Sequence, residues 1–134
     1  NKNEVVCWGS GKPYREFLHV EDLAKACIFL LENWDPNSQK SPKNKSGEIL
    51  TYLNVGTGDD LTIKDLAQKI KKIINFEGEI VWDKTKPDGI PRKQLDISRI
   101  LNLGWKPYKN LDDGLKEVLE IYDKEFKRGL IEKN

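Results

Sequence analysis

Twice along this chain, an apolar, β-like run ends in a glycine-rich turn. The first run, "EVVCW" at residues 4–8, stops at "GSGKP", and the second, "ILTYLNV" at residues 49–55, stops at "GTGDD". Glycine adopts turn conformations that other residues resist, so each pattern predicts a strand followed by a tight turn. Helical patterns follow along the chain, and strands that alternate with helices predict a mixed α/β (α+β) domain built in layers.

Three longer segments have helical periodicity. One is "VEDLAKACIFLLEN". Thr62, with Asp65 three residues later, resembles a capping box that opens the second helix, and Asn110 can cap a third, amphipathic one. The spacing of apolar residues in the first helix predicts a buried face that consists of Val20, Leu23, Ala24, Cys27, Leu30 and Leu31.

The remaining segments predict loops and short elements. Residues 34–48 collect Pro, Asn, Ser, Lys and Gly with almost no apolar content, which is typical of a solvated surface loop. "EIVWD" at residues 79–83 predicts another strand, and the following "TKPDGIPRK" predicts a loop restricted by two prolines. "LDISRILNLGW" predicts a short helix ended by its glycine.

Size and charge exclude several classes of function. A chain of 134 residues suits one compact domain. Its net charge is +1 with acidic and basic residues interleaved, so we expect neither a nucleic-acid partner nor a membrane anchor. Cys7 and Cys27 lie in apolar surroundings without partners at metal-ligand spacing. They are interpreted as reduced, buried thiols of a cytoplasmic protein.

Generic catalytic motifs are scarce. The single histidine, His19, has no serine or cysteine in an elbow context, and neither H-E-x-x-H nor C-x-x-C occurs. We therefore predict no metal site and interpret His19 as a hydrogen-bonded residue at a helix start. In "GTGDD", Leu61 stands where a dinucleotide fingerprint has its third glycine. This favours a tight turn over a phosphate site.

Trp8 and Arg15 flank the first glycine turn. A tryptophan at a strand end offers a flat face to a base or sugar, and an arginine offers the planar fork that suits a diphosphate. One interpretation is therefore that both residues face a ligand cleft. The alternative is a core tryptophan and a solvated arginine.

The loop "KTKPDGIPRK" concentrates cations around Asp88. Its two prolines and a glycine restrict its conformation. The loop has the charges to close over an anion while Asp88 accepts hydrogen bonds from a base or ribose, whereas a solvated charge run is the alternative. The cations in question are Lys84, Lys86, Arg92 and Lys93.

Four segments together resemble a known family. "WGSGKPYREFLHVEDLAKA", "NVGTGDDLTIKDLAQKI", "KPDGIPRKQLDISRI" and "LGWKP" are similar, in this order, to the C-terminal portion of extended short-chain dehydrogenases/reductases that act on nucleotide sugars. The resemblance implies that residues 1–134 are the substrate-binding part of such an enzyme and lack most of the Rossmann domain. The absence of methionine, with Asn1 first, also suggests a piece of a longer protein.

The resemblance implies a reaction for the complete enzyme. GDP-4-keto-6-deoxy-D-mannose would be epimerised on either side of its ketone and then reduced by NADPH. Family members use a Tyr-x-x-x-Lys pair that this chain lacks, so no catalytic or cofactor-binding residue is assigned and the chain alone is expected to be inactive. NADP would be bound mainly by the missing N-terminal Rossmann half, in an enzyme expected to be a homodimer. The alternatives are an enzyme of UDP- or dTDP-sugars and a non-catalytic binding module.

The resemblance also selects substrate-binding residues. Trp8 and Arg15 match family positions that line the GDP-sugar pocket. Asp88 and Lys93 match a loop that closes on the same ligand. These four residues are the predicted substrate contacts, while the "NVGTG" turn is expected to support the cleft.

Overall fold

The computed structural model describes residues 3–130, which form a two-stranded sheet, a three-stranded sheet and four helices in two compact units. One unit comprises the residues up to Pro13, Leu61–Pro91 and the residues from Lys109 onward, and the other comprises Tyr14–Asp60 and Arg92–Tyr108. The elements in chain order are β1 (Glu4–Trp8), β2 (Tyr14–Glu16), α1 (Val20–Asn33), β3 (Asp60–Thr62), α2 (Ile63–Ile73), β4 (Glu79–Asp83), β5 (Arg92–Lys93), α3 (Ser98–Asn102) and α4 (Leu111–Lys127).

The first unit combines a two-stranded parallel sheet with two helices. β1 pairs with β4 along its whole length, from Glu4 opposite Glu79 to Trp8 opposite Asp83. Helices α2 and α4 pack together and are joined by a salt bridge of 2.7 Å between Lys69 Nζ and an Asp112 oxygen.

Both predicted caps are present at the starts of these helices. Thr62 Oγ1 accepts a hydrogen bond of 3.0 Å from the Asp65 backbone N–H, and Asn110 Oδ1 accepts one of 2.9 Å from the Asp113 N–H. Each cap satisfies a backbone donor that has no partner within its own helix. The capping residues therefore fix where α2 and α4 begin, as the sequence pattern predicts.

The second unit contains the hydrophobic core of the described residues. α1 and α3 pack around it, and β2 pairs in parallel with β5. The fully buried side chain of Ile100 lies at its centre. The cluster also includes Ala26, Ile97 and Trp105, with Leu18, Phe29, Leu30 and Val55 packed against it.

The bounds of α1 match the sequence pattern, but its predicted buried face is right only for Leu30, which packs against the core. The helix turns Asp22 and Ala26 inward, whereas Val20 is 70% and Leu31 87% exposed. Both sides of α1 are apolar, and the core of this chain covers only one of them. The interpretation of both cysteines as buried is also wrong, since Cys27 is exposed and Cys7 only half-buried; both are free thiols.

The predicted strand at residues 49–55 does not form. Within residues 3–130, its only ladder contact is an isolated antiparallel bridge between Lys43 and Ile49. An extended run becomes a strand only beside a partner strand, and none pairs with residues 50–55 in the described part of the chain. The predicted loop at residues 34–48 contains turns and that bridge, and neither a helix nor a longer strand.

No helix found between residues 3 and 130 has the length and apolar content of a membrane-spanning segment.

Candidate functional site

Trp8 lies at the carboxyl end of β1 with its ring in solvent. Parallel strands end at the same edge of a sheet, so the turn after Trp8 and the loop after Asp83 leave from one place. Trp8 is 75% exposed, and the ammonium of Lys86 lies 5.5 Å from its ring centroid, within cation–π range. The alternative of a core tryptophan is therefore wrong.

Asp88 closes the first glycine turn from the other side of this edge. Its carboxylate accepts two hydrogen bonds from Ser10, one from the backbone N–H at 2.7 Å and one from the hydroxyl at 2.6 Å. These bonds stabilise the charged form and lower the pKa of Asp88, the hydroxyl contributing most. A carboxylate has acceptor capacity beyond two donors, so contact with a base or ribose stays a prediction.

The turn itself requires glycine. Gly11 has φ +73°, and a Cβ there would lie 2.6 Å from a ring carbon of Trp82. The ring of Trp82 therefore packs directly against the turn backbone. The Gly9 N–H donates to Asp83 O at 3.0 Å, which ties the same turn to β4. The turn that follows Trp8 and bonds to Asp88 is thus fixed at both ends.

Arg15 and Lys93 are opposite each other in the β2–β5 pair. Directly paired positions place their side chains on the same face of a sheet, so both basic side chains leave the same face. Arg15 Nη1 donates a hydrogen bond of 2.6 Å to its neighbour's carbonyl, Tyr14 O. The structure therefore joins two of the predicted contacts, which are 78 residues apart in the sequence.

Arg92 has a different partner from the one its loop suggests. Its guanidinium donates two hydrogen bonds to Asp60, at 2.6 and 3.0 Å, and the Asp60 side chain is only 6% exposed. This pairing raises the pKa of Arg92. The guanidinium also lies 5.6 Å from the ring centroid of Tyr14. Arg92 thus ties β5 to Asp60, and its suggested contact with an anion stays a prediction.

The carboxylate of Glu16 binds the backbone of the second glycine turn. Its Oε1 accepts hydrogen bonds from the backbone N–H groups of Thr57, at 2.5 Å, and Gly58, at 2.8 Å. Its Oε2 accepts one of 2.8 Å from the Leu95 N–H. A phosphate in a glycine turn would need these same N–H groups. The turn therefore does not fit a cofactor phosphate, in agreement with the tight-turn interpretation.

His19 is the N-cap of α1. Its Nδ1 accepts a hydrogen bond of 3.3 Å from the Glu21 N–H, which confirms its place at a helix start. Its Nε2 is buried and has no hydrogen-bond partner among residues 3–130. In the same range, no cluster of three or more His, Cys, Asp or Glu side chains is arranged to hold a metal ion.

Two residues central to this geometry were missed by sequence reasoning. Ser10 stands inside the glycine turn as an ordinary turn residue, and Glu16 stands beside Arg15 as an ordinary strand charge. The one available signal was a carboxylate within a short β-like run, where a charge needs a partner. Its partners are 41 to 79 residues away along the chain, so local pattern does not reveal them.

The first part of the chain matches a family model. Residues 1–56 match the "NAD dependent epimerase/dehydratase family". Over these residues the chain is similar to this family. GDP-L-fucose synthase 1 of Arabidopsis thaliana is 47% identical over 119 residues, which are 89% of this chain and 33% of the plant protein. The chain thus spans about a third of the length of such curated relatives.

Solved structures extend the match along the chain. A GDP-6-OMe-4-keto-L-xylo-heptose reductase from C. jejuni is 38% identical with a TM-score of 0.79, covering 91% of this chain and 34% of that one. A GDP-L-fucose synthetase from Naegleria fowleri bound to NADP is 28% identical with a TM-score of 0.72, covering 92% and 36%. These matches confirm the predicted fold class, a mixed α/β part of an extended short-chain dehydrogenase/reductase.

Proposed function

We propose that this chain is the C-terminal, substrate-binding part of an NADP-dependent enzyme that converts GDP-4-keto-6-deoxy-D-mannose to GDP-L-fucose. The observation that carries the proposal is the 47% identity, over 89% of the chain, to a protein named GDP-L-fucose synthase. Identity at this level extends well beyond the glycine turns shared by many nucleotide-sugar enzymes.

The paired cations of β2 and β5 support a GDP-sugar as the ligand. Arg15 presents a planar fork and Lys93 a flexible ammonium from adjacent positions on one face. A diphosphate carries its negative charges on neighbouring phosphates, which matches two neighbouring cations. We therefore assign the diphosphate to Arg15 and Lys93.

Trp8 and Asp88 remain predicted contacts for the base or the sugar. The exposed ring of Trp8 has a free surface for stacking. Asp88 is held by Ser10 with its carboxylate charged, which suits it to accept hydrogen bonds from ligand hydroxyl or amide groups.

The cofactor is assigned to the part of the enzyme that this chain does not contain. The Glu16 carboxylate uses the N–H groups that a cofactor phosphate would need at the second glycine turn. NADPH would supply hydride to the substrate ketone, and the residues described above would bind and orient the GDP-sugar. The Rossmann half, a homodimeric assembly and a cytoplasmic location complete the proposal, and the two free thiols support that location.

Ligand titration of the full 134-residue chain tests the substrate assignment. Arg15→Ala is expected to weaken GDP binding by about 1.5 to 3 kcal/mol, or roughly 10- to 150-fold in Kd, with little effect on folding. Lys45→Ala, which removes a cation from the 34–48 loop, is the matched control and should leave Kd unchanged. An unchanged Kd in Arg15→Ala refutes the diphosphate role.

The alternatives predict different results. An enzyme of UDP- or dTDP-sugars would prefer those nucleotides in the same titration. A free-standing binding module would have its apolar surfaces covered, whereas α1 exposes Val20, Leu23, Ile28 and Leu31. A contiguous exposed apolar face is typical of an interface, which favours a part of a larger enzyme. Strong binding of a hydrophobic dye by the chain supports this, and its absence supports the module.

A further inference from the structure

Glu16 connects three segments through one carboxylate. Oε1 accepts from the Thr57 and Gly58 N–H groups, and Oε2 accepts from the Leu95 N–H. The Thr57 hydroxyl also donates to Oε1 at 3.3 Å. A Cβ on Gly56 would overlap Oε1, so the turn approaches the carboxylate as closely as its backbone allows. Both oxygens are therefore used, and each reaches a different part of the chain.

These contacts lie next to the paired cations. Glu16 follows Arg15 in β2, and Leu95 lies two residues after Lys93 of β5. The β2–β5 pair has only two registered positions, and so short a ladder is weak by itself. Like charges at directly paired positions repel. The Glu16–Leu95 bond continues the pairing one step beyond the ladder and opposes this repulsion.

The chemistry of the bond requires a carboxylate. Its three shortest bonds come from backbone N–H groups, and an ionised carboxylate offers only acceptors. A glutamine at position 16 would keep one acceptor oxygen, but its NH₂ group would face the backbone N–H groups that the other carboxylate oxygen now accepts from. Glutamine has nearly the same shape, so the substitution removes the function with little change in volume.

We propose that Glu16 is a positioning residue that holds Arg15 and Lys93 side by side for the diphosphate of the ligand. The inference rests on the proposed function, in which these two cations bind that diphosphate. Glu16 itself need not touch the ligand, because its carboxylate is engaged with the backbone of residues 57, 58 and 95.

The test compares Glu16→Gln with Glu32→Gln in the full chain. Glu32 is an exposed glutamate on α1, so Glu32→Gln makes the same chemical change without these contacts. Amide hydrogen exchange across β2–β5, without ligand, measures how firmly the strands are held. The affinities for GDP and GMP measure the diphosphate contact, because only GDP carries the second phosphate.

The expected result is specific to Glu16. Exchange at β5 should accelerate about tenfold in Glu16→Gln, and the preference for GDP over GMP should fall about tenfold, while Glu32→Gln matches the unmodified chain. Arg15→Ala should lose the same preference, and adding Glu16→Gln to it should have little further effect, because Glu16 acts through Arg15. If Glu16→Gln fails to fold, Glu16→Asp retains the charge but is one methylene too short to reach both segments, and is expected to behave similarly.

Four results overturn the inference. Unchanged exchange, or an unchanged GDP preference beside a clear loss in Arg15→Ala, removes the positioning role and leaves the proposed function standing. An equal loss of GDP and GMP affinity shows that Glu16 only supports the fold. An unmodified chain that does not prefer GDP over GMP refutes the proposed function, and the positioning role with it, even if exchange accelerates.

Discussion

The two glycine turns of this molecule have similar sequences, and in the structure each one binds a carboxylate from elsewhere in the chain. Asp88 accepts hydrogen bonds from the backbone and hydroxyl of Ser10 in the "GSG" turn. Glu16 accepts bonds from Thr57 and Gly58 in the "GTG" turn. Each turn has the N–H groups of an anion site, and in each a distant carboxylate of the chain provides the anion. Neither turn is therefore an open phosphate loop.

The turns differ in how much depends on the carboxylate. Asp88 lies in an exposed loop and holds one residue. Glu16 is half-buried and bonds three backbone N–H groups in two segments. The "GTG" turn is therefore bonded to more of the chain through its carboxylate than the "GSG" turn is.

The largest expected loss of stability follows the removal of the Glu16 carboxylate. Glu16→Ala should lower the free energy of unfolding by about 3 kcal/mol, because three backbone donors lose a charged acceptor. Asp88→Ala should have a clearly smaller effect, since Ser10 can bond to water instead. Denaturant unfolding of both variants checks the order, and equal losses would show that the two turns depend on their carboxylates to the same extent.

A smaller loss of stability is expected at Gly11, where an added Cβ would overlap the ring of Trp82. Gly11→Ala should cost about 2 to 3 kcal/mol, because it combines a positive φ with overlap of Trp82. Gly47 has φ +84° and nothing within 4 Å, so Gly47→Ala should cost only about 1 kcal/mol. Thermal unfolding measures both. Equal costs would mean that Trp82 does not pack tightly under the turn.

The smallest effect concerns the titration of Asp88. Its folded pKa lies below the ordinary value, so its contribution to stability is present above the unfolded pKa and is lost as the pH falls through the folded pKa. The carboxyl carbon of Asp88 and the amide of Ser10 should titrate together in NMR spectra below the usual aspartate range. Ser10→Ala should raise this pKa. A titration of Asp88 that is independent of Ser10 contradicts the contact.

The local sequence pattern predicted where a helix begins when a single capping residue marks its start. His19, Thr62 and Asn110 each accept the N–H that their position as a cap requires. Pattern did not reveal which face of α1 is buried, because both faces are apolar and only three-dimensional packing distinguishes them. Residues 49–55 have strand composition without a partner strand. A sequence gives the tendency of a segment but not the presence of its neighbour.

The candidate site was predictable only in part, because some of its contacts depend on distant segments. The resemblance selected Arg15 and Lys93, and the register of β2 and β5 confirms that they are neighbours. Glu16 was not predictable, because its role arises from backbone groups at residues 57, 58 and 95. Nothing in the immediate sequence shows that these groups converge on one carboxylate.

The central claim is that the cations on β2 and β5 bind the diphosphate of a GDP-sugar. The most direct measurement is an NMR titration of the full chain with GDP, UDP and dTDP, following the backbone amides of Arg15 and Lys93. We expect GDP to bind most tightly and to shift both amides at the same ligand concentration. Tighter binding of UDP or dTDP, or GDP binding that leaves both amides unshifted, would contradict the claim.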